Sequence, residues 1–141
     1  MYVYTKRGDL GFLYLFPNLK YLKIECMTIT KLSLQGIENC PVLKTLTLAN
    51  IVRPFKMNGI EFCKHLREFR VFRQVKREYD GDPLDITPFS HLPRLKVLYI
   101  DTSISIQAEG LDVSDCGLLE ELMARPINKK NDPVGENIDQ D

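Results

Sequence analysis

Few residues in this chain could do chemistry. There are four cysteines and two histidines. Cys63 and His65, joined by Cys40 or Cys116, would be the donors of a zinc site. No two cysteines, however, have the C-x-x-C spacing that presents two thiolates to one tetrahedral ion. Cysteine catalysis needs a thiolate beside a base, and neither His65 nor His91 sits in a recognisable nucleophile motif. The stretch REYDGDPLD from Arg77 places Asp80, Asp82 and Asp85 around Gly81, like the start of a calcium loop counted from Asp80. The closing position of such a loop needs a bidentate Glu and here is His91. Asp, Gly and Pro together make a turn instead. No glycine-rich loop follows a strand to cradle a phosphate. The chain is therefore expected to hold no metal or cofactor and to lack a catalytic set.

The remaining chemical signal is KHLREFRVFRQVKRE. Lys64, Arg67, Arg70, Arg73 and Lys76 recur every third residue, with His65, Phe69 and Phe72 between them. Cations interleaved with aromatics are the footprint of a polyanion site. A helix would also fit Phe62, Leu66 and Phe69. The whole chain balances 19 Lys plus Arg against 19 Asp plus Glu, so no global field draws it to nucleic acid or an anionic membrane.

Which face these residues occupy depends on the elements that carry them, and those elements repeat. Residues 40–51 read CPVLKTLTLANI and residues 92–103 read LPRLKVLYIDTS. The same phrase returns as FPNLKYLKIECM from Phe16, as CKHLREFRVFRQ from Cys63 and, frayed, as CGLLEELMARPI from Cys116. Its first Leu falls at Leu19, Leu43, Leu66, Leu95 and Leu119, steps of 24, 23, 29 and 24 residues. The next apolar positions are Leu22 and Ile24, Leu46 and Leu48, Phe69 and Val71, Leu98 and Ile100, and Leu122 with Ala124. Alternation of that kind marks a strand with one buried face. A single strand cannot bury its apolar side alone, so the copies must stack as a parallel sheet. Between the phrases, LSLQGIEN, MNGIEF, DITPFS and LDVSD carry apolar residues two or three apart, which predicts short helices or turns. Leu34 with Ile37, Met57 with Ile60, and Ile86 with Phe89 would each share a helical face. Asp85 followed by Pro88 suits the start of a single turn.

Cys40, Cys63 and Cys116 each precede the first Leu of their phrase by three residues, where the other copies have Phe16 and Leu92. A position shared by Cys, Phe and Leu is expected to be a buried apolar slot holding reduced thiols. Cys26 fits no shared slot.

With this period and pattern, the chain resembles a leucine-rich-repeat protein. GIENCPVLKTLTL and GIEFCKHLREFRV most resemble the cysteine-containing repeats of F-box ubiquitin-ligase receptors, and plant-type immune receptors with irregular repeats are similar. The resemblance covers about residues 12–124. It implies an α/β fold, a short leucine-rich-repeat solenoid with about five parallel strands on the concave face and short helices or turns on the convex face. The family carries Asn or Cys at the ninth position of each repeat, where this chain has Met27, Ile51, Gln74 and Ser103. Irregular turns are expected after the strands.

The repeat domain is read as residues 1–124, in this reading a fragment of a longer array, with a polar tail at 125–141 whose composition cannot bury enough surface to order itself. The apolar run GFLYLF is far short of the roughly 20 residues a membrane helix needs. The start of the chain lacks a small-residue cleavage site, so an intracellular location off the membrane is expected. In the strand register Leu66, Phe69 and Val71 take core slots, which turns Glu68 and Arg70 outward. Tyr21, Lys23, Thr45, Thr47, Glu68, Arg70, Val97 and Tyr99 should stand in adjacent columns about 4.8 Å apart, extended by Phe72 and Arg73. This surface is expected to bind another protein, with an acidic surface as the best match. The resemblance implies substrate recognition in a ubiquitin-ligase or immune-receptor setting. The alternative is RNA or another polyanion on residues 64–77, ranked below protein, with an enzyme ranked last.

Overall fold

The computed structural model describes residues 1–4, 10–25, 32–50, 55–57, 59–72, 84–101, 104, 106–107 and 121–123. Its main element is a parallel sheet with strands in sequence order: β1 (Tyr2–Tyr4), β2 (Tyr21–Glu25), β3 (Thr45–Ala49), β4 (Glu68–Phe72), β6 (Val97–Ile100) and β8 (Glu121–Met123). Two short strands between them, β5 (Leu84–Asp85) and β7 (Ile106–Gln107), form a second parallel pair. Five strands of the main sheet are the repeated phrases. The sixth, β1, adds an edge through Tyr2 beside Lys23 and Val3 beside Ile24.

The register aligns the phrases without slip. Leu22 pairs with Leu46, Leu46 with Phe69, and Phe69 with Leu98; Ile24, Leu48, Val71 and Ile100 align in the same way. All eight side chains are buried. A shift of one residue would turn every one of them to solvent, so the apolar alternation holds the register.

Behind the sheet run four 3-10 helices, Gly11–Leu15, Ile37–Asn39, Ile60–Phe62 and Thr87–His91. No α-helix occurs among the described residues. The sequence gives the reason. In a 3-10 helix side chains at i and i+3 eclipse, and the apolar residues recur every third position. Ile37 N–H donates to Leu34, Cys40 to Ile37, and Leu43 to Cys40, at 2.9, 2.9 and 3.1 Å. The same three bonds link Met57, Ile60, Cys63 and Leu66, then Ile86, Phe89, Leu92 and Leu95, and also Leu10, Leu13, Phe16 and Leu19. Each of these connections is thus a run of i to i+3 turns, and in the last three along the chain every third side chain is buried. Asp85 shapes the last of them: its Oδ1 accepts from Thr87 N–H at 3.0 Å and from Thr87 Oγ1 at 2.7 Å. Gly36 precedes its helix at φ 108°, and a Cβ there would stand 2.4 Å from the Leu10 carbonyl oxygen, so only glycine allows the two layers to meet.

The cysteine slot holds in the interior and fails at one end. Cys40, Cys63 and Leu92 are fully buried, but Phe16 is 39% exposed. The Gly11–Leu15 helix packs on the Ile37–Asn39 helix, and its outer flank has no comparable helix neighbour among the described residues. The two described thiols are free and do more than fill space. Cys40 Sγ donates to the Phe16 carbonyl at 3.4 Å, and Cys63 Sγ to the Ile37 carbonyl at 3.5 Å, each reaching one layer back. Cys26, Cys116, Leu119, Ala124, the turn at Asp80 to Asp82 and the tail at 125–141 lie outside the described residues. No helix among those described is long and apolar enough to cross a membrane.

Two measurements follow from this packing. Leu46→Asp buries an unpartnered carboxylate at the sheet centre and should cost more than about 4 kcal/mol, whereas Thr47→Asp, on the other face, should cost less than about 1 kcal/mol. Equal thermal melts for the two variants would contradict the register.

The second concerns Cys63. Burial pushes its thiol up to about 12, helped by Cys40 and the Glu38 and Glu61 carboxylates. The folded state favours the neutral thiol, while an unfolded thiol ionises from about pH 8.5. Its contribution is therefore full below about pH 8.5 and lost as pH rises towards 12. In urea titrations, the stability advantage of the native protein over Cys63→Ala should shrink by about 1 to 2 kcal/mol between pH 7 and about pH 10. A gap that stays constant would place the thiol in contact with water.

Candidate functional site

One face of the sheet packs on the row of 3-10 helices; the other is open. Strand alternation puts three rows of side chains on the open face. The first runs Tyr21, Thr45, Glu68, Val97, and the second Lys23, Thr47, Arg70, Tyr99. The third runs Glu25, Ala49, Phe72 at the ends of the strands. The residues expected to stand in columns do so, with three qualifications. Val97 is only 8% exposed. It shares the outward direction of Glu68, its register partner, and lines a cavity of about 300 Å³. Phe72 is a full member of the third row. Arg73 lies outside the described residues.

The charges on this face are interleaved. Arg70 Nη2 meets Glu68 Oε1 at 3.1 Å, two residues away on the same strand, and Glu68 Oε2 accepts a long bond from Thr45 Oγ1 at 3.5 Å. Lys23 Nζ lies 5.6 Å from the centre of the Tyr2 ring, while Tyr2 OH donates to Glu25 Oε2 at 2.8 Å. The face is therefore mixed in sign and not a basic patch. The period-three cations of residues 64–76 do not form one stripe. Lys64 Nζ donates to the His91 carbonyl at 2.9 Å, Arg67 precedes β4, and Arg70 is paired on the sheet face. Lys76 lies outside the described residues.

The most apolar part of the face is at its exit edge. The rings of Phe72 and Tyr99 stack at 5.1 Å with an interplanar angle of 34°. Tyr99 also stands beside Arg70 in register. Arginine, tyrosine and phenylalanine thus form one contiguous group on a rigid strand pair. Tyr21, 59% exposed, and Tyr2 add aromatic surface on the side of β2.

Two residues not singled out from the sequence hold this edge in place. Asn50 follows β3 at φ 64°, a left-handed conformation that asparagine tolerates better than most residues. It is buried, its N–H donates to the Phe72 carbonyl at 2.7 Å, and its side-chain amide bonds Glu25. The repeat pattern directs attention to Ile51, one residue later. An Asn directly after a strand is the signal that marks the turn. Glu25 is the second, accepting from both Tyr2 and Asn50 and so tying three strands at one end.

On the other side of the sheet a larger concavity of about 930 Å³ is bordered by Lys56, Glu61, Asp85, Ser90 and His91. Its polar groups serve the local turn: Asp85 is held by Thr87, and Ser90 Oγ donates to the Thr87 carbonyl at 2.8 Å. No model of a known protein family, no curated protein and no solved structure matches this chain.

Proposed function

We propose that this chain is a protein-binding module of the leucine-rich-repeat type, a short solenoid that uses the open sheet as its concave recognition face. The observation that carries the reading is the contiguous group of Arg70, Phe72 and Tyr99 on paired strands. Residues of these types dominate interface hot spots, and strands hold them without an ordering cost on binding. The mixed charges around the group suit a protein partner that carries both signs, with Glu25 and Glu68 offering acceptors next to Lys23 and Arg70. The cysteine-containing repeats put substrate recognition in a ubiquitin ligase, or ligand sensing in an immune receptor, first among the settings for such a module. Nucleic acid fits this face poorly, because Glu25 and Glu68 would meet a phosphate backbone.

The test is titration calorimetry against a partner recovered by pull-down. Tyr99→Ala and Arg70→Glu should each weaken binding by roughly 1 to 3 kcal/mol, Arg70→Glu by placing a second carboxylate beside Glu68. Lys129→Glu should have no effect. Circular dichroism confirms that each variant folds. Unchanged affinity in both sheet-face variants would move the binding surface elsewhere.

A further inference from the structure

A second surface lies where the chain enters each strand. In four phrases the residue after the first Leu is a cation: Lys20, Lys44, Arg67 and Lys96. The backbone brings them into one column. Lys44 N–H donates to the Lys20 carbonyl at 2.8 Å, Arg67 N–H to the Lys44 carbonyl at 2.8 Å, and Lys96 N–H to the Arg67 carbonyl at 2.7 Å. The turns leading into the column, residues 16–20, 40–44, 63–67 and 92–96, also carry Lys64 and Arg94 but no Asp or Glu. Arg94 Nη1 lies 3.1 Å from His65 Nδ1, so that nitrogen accepts and the cation stays on the rim. In sequence the run of cations ends at the fifth phrase, where Glu120 stands in the equivalent place.

Like charges on neighbouring strands destabilise a sheet. A column of them with no carboxylate among the turns is expected where an anion binds. Lys44, Arg67 and Lys96 line the shallow cavity of about 300 Å³, with Tyr21 beside them. Among the described residues that line the cavity the carboxylate is Glu68, which Arg70 holds at 3.1 Å.

We infer that this rim binds an acidic protein helix lying across the strands, with its carboxylates on one face. The spacing selects that occupant. The cations step by about 4.8 Å from strand to strand, and one helical turn rises about 5.4 Å. Over three steps the two drift apart by only about 2 Å, within the reach of a lysine stem. An extended peptide shows side chains on one side every ~6.6 Å, so over the same three steps it drifts by about 5 to 6 Å. Acidic residues at i, i+4, i+7 and i+11 of a helix would face Lys20, Lys44, Arg67 and Lys96 in turn. A single-stranded nucleic acid would want stacking platforms along its path, and among the described residues the exposed rings at the rim are Phe16 and Tyr21, both at one end. This surface is distinct from the Arg70, Phe72 and Tyr99 group, and the inference stands whether or not that group binds a partner.

The experiment uses the full chain and three fluorescent probes. One is an alanine-based helical peptide of about 16 residues with Glu at i, i+4, i+7 and i+11. The second has the same composition with the Glu residues spread around the helix, and the third is a single-stranded oligouridine. By anisotropy the patterned peptide should bind at least about tenfold tighter than the other two, and should weaken several-fold between about 50 and about 200 mM NaCl. The double variant Lys44→Glu, Lys96→Glu should weaken it by about tenfold or more, and Lys44→Ala, Lys96→Ala by about threefold to tenfold, which keeps the test valid if the charge reversal disturbs folding. Lys129→Glu, the same charge reversal outside the four phrases, should leave this binding unchanged. Equal binding of the two peptides, tighter binding of the oligouridine, or indifference to the alanine pair would each overturn the assignment.

Discussion

The structure depends on one repeated constraint, a run of i to i+3 hydrogen bonds that carries an apolar residue at every third position and ends two residues before a strand. Leu34, Ile37, Cys40 and Leu43 form such a run, and so do Met57, Ile60, Cys63 and Leu66. The run closes the backbone's own hydrogen bonds in a segment too short for an α-helix. It also fixes where the chain turns into the sheet, so that Lys44 and Thr45 both donate to the Lys20 carbonyl and the next copy repeats the contact one strand on. With the turn set, the parallel register has no freedom left. Apolar alternation and turn geometry agree at every interior copy, and that agreement across levels is what a foldable sequence needs.

This constraint also makes the thiols structural. A Cys in the third place of the run stands against the preceding layer, where its S–H reaches the carbonyl of Phe16 or Ile37. In the next copy the equivalent residue is Leu92, equally buried. The slot accepts a hydrophobe of several shapes, and the cysteines add a weak donor between layers. Their raised ionisation has the same cause, since burial next to Glu38 disfavours a thiolate.

The constraint leaves two sets of side chains outside the core. Every strand presents alternate residues to an open face, and every entry turn presents a residue to a rim. The face carries a mixed set with aromatic rings at its exit edge, while the rim carries a cation in each of four phrases. Paired strands and their entry turns position both.

The strands were legible in the sequence because their buried face has a period of two and the phrases align at Leu22, Leu46, Phe69 and Leu98. The pairs Leu34 with Ile37, Met57 with Ile60 and Ile86 with Phe89 were legible too, although their spacing alone did not separate a helix from a run of linked turns. Tertiary structure decided the rest. Phe16 shares its slot with Cys40 and Cys63 yet is exposed, because only stacking covers that slot and its outer flank has no comparable helix neighbour among the described residues. Val97 shares an outward direction with Thr45 yet is buried, because exposure depends on what stands on either side of a strand. Arg70 reads as a free cation until Glu68 is placed within reach of it, and Phe72 meets Tyr99 only across two strands. Sequence alternation determines which way a side chain points; its company comes from strands 24, 23 and 29 residues away, whose packing alone sets charge and exposure at the surface.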